Sequence, residues 1–216
     1  MTEERDLRMI HRRTVILTSV AAALAAVNLP FRAAGAQSAS EKAAAFVRET
    51  GEKLVAVVNG PGAPQQKRGQ LSQVIDKTVD VDSVARFCLG RFWRQASPEQ
   101  QRRYLELFRE VLITNISSKL GDYQGVRFTM GRAVQDGENA RVSTVVERPN
   151  NPPTAVDWIV ESPATDPKIV DVVAEGTSLR LTQRSDYASY LLHNNNNIDA
   201  LISAMRQQVT QNQASG

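Results

Sequence analysis

The stretch VDSVARFCLGRFWRQASPEQQRRYLELFREVLITNISSKLGDY, residues 81–123, decides the fold. It predicts a short apolar helix capped by Asp80 and closed at Gly90, then a corner rich in arginine and aromatic residues, then a long amphipathic helix. Ser97 supplies the cap of the long helix, Pro98 its first position, and Gln100 completes a Ser-x-x-Gln capping box. Tyr104, Leu105, Phe108, Val111, Leu112, Ile116 and Leu120 recur at three- and four-residue steps, which is the mark of one apolar face. Leu120-Gly121 predicts the exit, with the glycine left-handed. Such a face walls either a core or a cavity, and its pattern is the same in both cases.

Upstream, helical spacing covers residues 40–59, with Ala43, Phe46, Val47, Leu54 and Val58 on one side. The run Asn59-Gly60-Pro61-Gly62-Ala63-Pro64 breaks it, and a second helix is predicted over residues 66–78. Downstream of Gly121 the period changes to two. Val126, Phe128 and Met130 alternate with Arg127, Thr129 and Gly131, and the Asp136-Gly137 turn leads to a second strand over residues 140–147. Further strands are predicted over 155–161 and 168–174, and Leu179-Arg180-Leu181 is expected to finish the sheet. Each connection is too short for a crossover helix, so the sheet should be an antiparallel meander. Ser185 is expected to cap a short helix, Asn194 to Asn197 to form a solvated loop, and Ile198 to Gln211 a last helix with a fraying tail over 212–216. The fold class is therefore α+β: N-terminal helices and one long amphipathic helix on a twisted antiparallel sheet of four to five strands, with C-terminal helices, in one domain over residues 37–211.

The first 36 residues read as an address. Arg12-Arg13 precede an uncharged run, Thr14 to Val27, and Ala34-Gly35-Ala36 has the small-x-small spacing of a cleavage site. The paired arginines fit a twin-arginine route loosely, and the ordinary secretory route fits as well. Either predicts a soluble protein exported to the periplasm. This segment holds five arginines against three acids, a net of +2, and leaves only +1 of the chain's formal +3 for the body. The pI of about 9.2 is thus no evidence for nucleic-acid binding. The single cysteine, Cys88, excludes an intramolecular disulfide and reads as a buried small hydrophobe.

Catalytic chemistry is poorly supplied. Beyond the leader there is one histidine, His193, beside the Asn tract. No nucleophile elbow, His-Glu-x-x-His, P-loop or dinucleotide fingerprint occurs. Asp157, inside AVDWIV, is the one carboxylate embedded in apolar sequence. An enzyme on this scaffold would use it as a raised-pKa acid, whereas the plainer reading is an outward position on a half-exposed strand. The expectation is a protein that is not an enzyme, with no cofactor and no metal.

The corner Arg86 to Arg94 mixes cations with rings. It can stack on nucleic acid, plug the core with Phe92 and Trp93, or meet an anionic head group or acidic surface. The block Ala85-Arg86-Phe87-Cys88-Leu89-Gly90-Arg91-Phe92-Trp93-Arg94, followed by Ser97-Pro98-Glu99-Gln100, resembles the signature of the MlaC family, the toluene-tolerance family of periplasmic phospholipid-binding proteins. Val170-Asp171-Val172, Glu175-Gly176 with Ser178-Leu179, and Arg184-Ser185 before an aromatic fit as well. Phe92 stands where the family often has Tyr, and Tyr187 where it often has Phe. The resemblance extends over residues 43–209.

What the resemblance implies is a monomeric shuttle with no nucleic-acid partner. It would carry phospholipid between an outer-membrane lipoprotein complex and an inner-membrane complex of an MCE-domain ring and an ABC transporter, maintaining outer-membrane lipid asymmetry. A branch of the family is associated with hopanoids, so a polycyclic lipid is the alternative cargo. Two acyl chains of roughly fifteen methylenes each, at about 0.8 kcal/mol per methylene, would cost about 24 kcal/mol to expose to water, so the tails must be enclosed. The expected walls are Val84, Phe108, Leu112, Ile116, Val142, Val146, Trp158, Val160, Tyr187 and Leu191. Arg86, Arg91 and Arg94 are the expected contacts to head group or partner. The opposing expectation is that these apolar residues close on one another as a dry core.

Overall fold

Two serine capping boxes and one aspartate cap start the helical half of the molecule. The computed structural model describes residues 38–214. The expected leader over residues 1–36 lies outside them, as does the end of the tail. Helix α1 (Ala39–Asn59) opens on Ser38, whose side chain accepts from the Glu41 amide while Glu41 reaches back. Helix α2 (Pro64–Thr78) starts with proline in its first turn. Helix α3 (Val81–Leu89) is capped by Asp80 and stops at Gly90, whose φ of +59° and ψ of −130° suit glycine alone. A 3₁₀ turn (Gly90–Arg94) leads into α4 (Pro98–Ser117), opened by the Ser97/Gln100 capping box.

The sheet is a five-stranded meander in the order β1 to β5, antiparallel throughout: β1 (Arg127–Asp136), β2 (Asn139–Glu147), β3 (Thr154–Glu161), β4 (Lys168–Ala174) and the two-residue β5 (Thr177–Ser178). Cross-strand partners share a face. Val142, Trp158 and Val172 form one row and Ala140, Val160 and Ile169 another, while Met130, Thr144 and Val156 continue the same apolar face. The opposite face mixes the buried Ile159 with polar residues, and there Arg141 bridges Asp157 at 3.3 Å and Asp136 at 3.1 Å. Two helices complete the fold, α5 (Leu179–His193) and α6 (Ile198–Ala214). The described residues belong to one compact unit.

Three local expectations are corrected. The long helix ends at Ser117, and Gly121 lies in a 3₁₀ turn without a positive φ. The hydroxyls of Ser117 and Ser118 bond back to the carbonyls of Thr114 and Asn115, an alternative to further helix. The left-handed turn comes later, at Gly125. Leu179-Arg180-Leu181 is not a strand but the first turn of α5, and Ser185 lies inside that helix. The cap is Ser178, which accepts from the Leu181 amide, while Asp171 of β4 accepts from the Arg180 amide. Two satisfied first-turn donors outweigh a three-residue alternation of leucines. The Asn tract turns the chain at Asn195 and Asn196, both at positive φ, a conformation Asn tolerates. Helix α6 continues to Ala214, past the point where fraying was expected.

The sheet is held at its two flanks. On the β1–β2 side α1 lies on the apolar face, with Ala43, Phe46 and Val47 against Ala140, Val142 and Val160. The ring of Phe128 sits so close to Gly51 of α1 that a Cβ there would fall 2.6 Å from it. Asn59 holds the end of α1 by donating to the Val126 carbonyl and accepting from the Gly125 amide. On the β4 side the α2–α3 junction joins the sheet: Val79 bridges Ile169, and the Asp80 amide donates to the Ile169 carbonyl. Helix α4 packs in the helical layer, on α2, α3 and α6.

Candidate functional site

The arginine- and aromatic-rich corner is a junction of three elements. Phe92 is buried, and Phe87 and Trp93 are half-buried. Arg86 lies over the Trp93 ring at 5.4 Å and Arg91 over Phe92 at 4.9 Å. From α5, Arg180 and Arg184 both lie over Phe87, at 4.5 and 4.9 Å. Arg184 also donates to the Phe87 carbonyl, and its guanidinium lies 3.2 Å from where a Cβ on Gly90 would stand. Asp171 anchors the arrangement from β4. It is 8% exposed, and it accepts from Ser178 Oγ and the amides of Val172 and Arg180, with Arg180 Nε 3.4 Å away. Cys88 lies beneath, its thiol 3.6 Å from the Arg180 carbonyl. Burial first, and then the Asp171 charge, pushes that thiol up to about 12, against the pull of Arg180 and Arg184. The segments Val170-Asp171-Val172, Ser178-Leu179 and Arg184-Ser185 therefore meet at the Phe87–Gly90 turn. Sequence reasoning did not single out Arg180, although its four-residue spacing from Arg184 on one helix face would have paired them.

The ten expected wall residues do not form a single lining. Phe108, Tyr187 and Leu191 are buried in the helical cluster, with Val84 and Leu112 half-buried against it. Tyr104, Phe108 and Tyr187 form a triangle of rings with centroids 5.9 to 6.4 Å apart. Tyr104 donates to the Ala85 carbonyl at 2.8 Å, whereas the Tyr187 hydroxyl is buried without a partner. Val142 and Val160 belong to a separate cluster between α1 and the sheet, with Trp158 half-buried at its margin. Val146 joins a third cluster around Val58, Leu120 and Val126. Ile116 is 39% exposed. Trp158 donates from Nε1 to Thr144 Oγ1 at 2.9 Å, and Thr144 passes the bond to the Val156 carbonyl, so the indole is oriented on the apolar face. Trp158 on β3 and its cross-strand partner Val172 on β4 stay half-buried on the apolar face of the sheet.

Of the three arginines expected to face head group or partner, Arg86 sits 3.7 Å from Asp82 with both side chains more than half exposed. Arg91 and Arg94 are exposed without a carboxylate partner among the described residues. Asp157 lies on the polar face of the sheet, paired with Arg141, on the side away from Trp158. His193 is exposed, its Nδ1 2.8 Å from the Ser189 carbonyl. A surface hollow of about 410 Å³ lies on α6, walled by Ser203, Arg206, Gln207, Thr210 and Gln211. No helix among the described residues is long and apolar enough to cross a membrane.

Three of the matches to known proteins bear on the site. The family model described as MlaC protein matches residues 48–207. A toluene tolerance protein, ttg2D from Pseudomonas putida, is 24% identical over 134 residues, 61% of this chain. The chain spans 62% of the length of that relative. A phospholipid-binding protein from Ralstonia solanacearum, solved in complex with a phospholipid, superposes with a TM-score of 0.66 at 25% identity, covering 79% of this chain and 98% of the other.

Proposed function

The chain belongs to the MlaC family, and from that premise we propose that it is a periplasmic, non-enzymatic lipid carrier. It encloses the acyl chains of a phospholipid between its sheet and its helical layer. It exchanges that lipid with an outer-membrane lipoprotein complex and with an inner-membrane complex of an MCE-domain ring and an ABC transporter.

One observation carries this reading. On the apolar face of the sheet α1 packs on β1–β2 as far as Val160 of β3, the α2–α3 junction bonds to the backbone of β4 at Ile169, and Trp158 with its cross-strand partner Val172 remains half-buried. The helical core is a distinct cluster behind them. Two apolar walls joined at their edges can part in the middle without breaking either core, and an acyl chain is the apolar guest that would fill the space. The neighbour that holds a phospholipid supports the class of cargo.

Carriage also demands release. Binding much tighter than the roughly 0.8 kcal/mol per methylene that a bilayer itself supplies would trap the lipid. Burial without a dense set of polar anchors suits exchange.

Native mass spectrometry of the purified protein, followed by extraction into organic solvent, tests the proposal. The expected result is a one-to-one adduct with the mass of a two-chain phospholipid. An adduct of a polycyclic lipid would change the cargo and keep the carrier. A lipid-free protein that also takes up no lipid from vesicles would end the proposal.

A further inference from the structure

The α3–α5 junction holds more positive charge than its own structure consumes. Arg91, Arg94 and Arg184 have no carboxylate partner among the described residues. The acids of α3 and β4 are already engaged: Asp171 is buried against Arg180 and Ser178, Asp82 faces Arg86, and Asp80 caps α3. Five arginines against four acids, Asp80, Asp82, Asp171 and Asp186, leave an excess of one, and the three arginines without a carboxylate partner carry the exposed positive charge of the junction.

The way these arginines are held matters. A guanidinium stacked over a ring spends its face and keeps the N–H groups of its edge for planar acceptors. Arg91 and Arg184 are held so, over Phe92 and Phe87. Along α5 Leu181 at 56% and Leu192 at 57% exposure face solvent three turns apart, as does Leu179, the first residue of the helix, at 51%. Leu181 lies one turn before Arg184, on the same side of the helix.

We propose that this face docks the protein on an anionic bilayer, with the guanidinium edges on lipid phosphates and Leu181 and Leu192 entering the interface. An acidic protein surface would answer the arginines but offers nothing specific to two separated leucines. A bilayer interface answers both, since basic side chains meet the anionic surface and short apolar side chains sit at the acyl boundary. The docking goes beyond the carrier reading and does not depend on what the interior holds.

Sedimentation with vesicles tests it, using phosphatidylglycerol vesicles against phosphatidylcholine vesicles at low and high salt. The purified protein is expected to sediment with the anionic vesicles, less so as salt rises, and weakly with the neutral ones. Arg94→Gln, at an exposed side chain, is expected to weaken binding about fivefold, the effect of one basic residue at an anionic surface. Leu192→Ser is expected to weaken it as well, with unchanged circular dichroism in both variants. Equal binding to the two vesicle types, or binding unmoved by both substitutions, would overturn the proposal. So would an absence of vesicle binding, whether or not the protein binds an acidic polypeptide such as polyglutamate. Lipid content, read separately by native mass spectrometry, keeps failure of docking distinct from failure of carriage.

Discussion

Cys88 is the residue where burial has the plainest chemical consequence. Its thiol is raised from 9.0 to about 12, chiefly because the charged form would lose its hydration. A group whose pKa is higher folded than unfolded adds stability in full below the unfolded value and loses it as pH rises through the folded one. For Cys88 that window runs from about 9 to about 12. The buried phenols of Tyr104 and Tyr187 are raised for the same cause and add to the loss at its upper end. The denaturant midpoint is therefore expected to fall between pH 8 and pH 11, and Cys88→Ala should make that fall shallower, as urea titrations at several pH values would show. A midpoint that is flat with pH in the parent protein would contradict the burial of these three groups. The apolar neighbours of Cys88 in the chain made its burial legible. The identity of what its thiol faces, the Arg180 carbonyl, was not, because that residue lies 92 positions away.

Among the elements, α5 shows how a tertiary contact overrides a local pattern. Leu179-Arg180-Leu181 alternates as a strand would, yet it begins a helix because Ser178 and the buried Asp171 take its first amides. Ser178→Ala removes the cap and one of the hydrogen bonds to Asp171 together. The expected cost is about 1–2 kcal/mol, measured by equilibrium unfolding. Full retention of stability would mean that α5 starts for another reason. By contrast α1, α3 and α4 start where their caps place them, since each cap and its partner amide lie within three residues of one another. Strand boundaries were legible for a similar reason: Asp136-Gly137 and Glu175-Gly176 turn at positive φ whatever surrounds them. The exit of α4 was not, because serine side chains compete for its last carbonyls before glycine is reached.

At the scale of the whole molecule, the question is which apolar residues hold the protein together and which leave room for a guest. Phe108 is 6% exposed within a triangle of rings, so Phe108→Ala is expected to cost about 3–5 kcal/mol of stability. Trp158 is half-buried on the apolar face of the sheet, at the margin of the α1 cluster. Trp158→Ala should cost less stability and more bound lipid. Denaturant unfolding and native mass spectrometry on the same two variants separate these roles. The reverse order, with lipid lost only in Phe108→Ala, would place the tails inside the helical layer. All ten wall residues were chosen by apolar periodicity, which does not distinguish Phe108 from Trp158. The structure divides nine of them among three clusters and leaves Ile116 exposed, because side chains that share a stripe on one helix or strand need not meet the same neighbour.

By itself the sequence determined the starts of α1, α3 and α4, the antiparallel meander, the α+β class and the family block, because each depends on groups a few residues apart. It also determined that the Arg86–Arg94 corner would bring cations and rings together. Only the tertiary structure decided that α1 rather than α4 lies on the sheet. It alone showed that Asp171, Arg180 and Arg184 converge on Phe87, and that the two apolar walls are joined at their edges. These are contacts between residues far apart in the chain, chosen by which complementary surfaces can be buried together, and no local pattern encodes that choice.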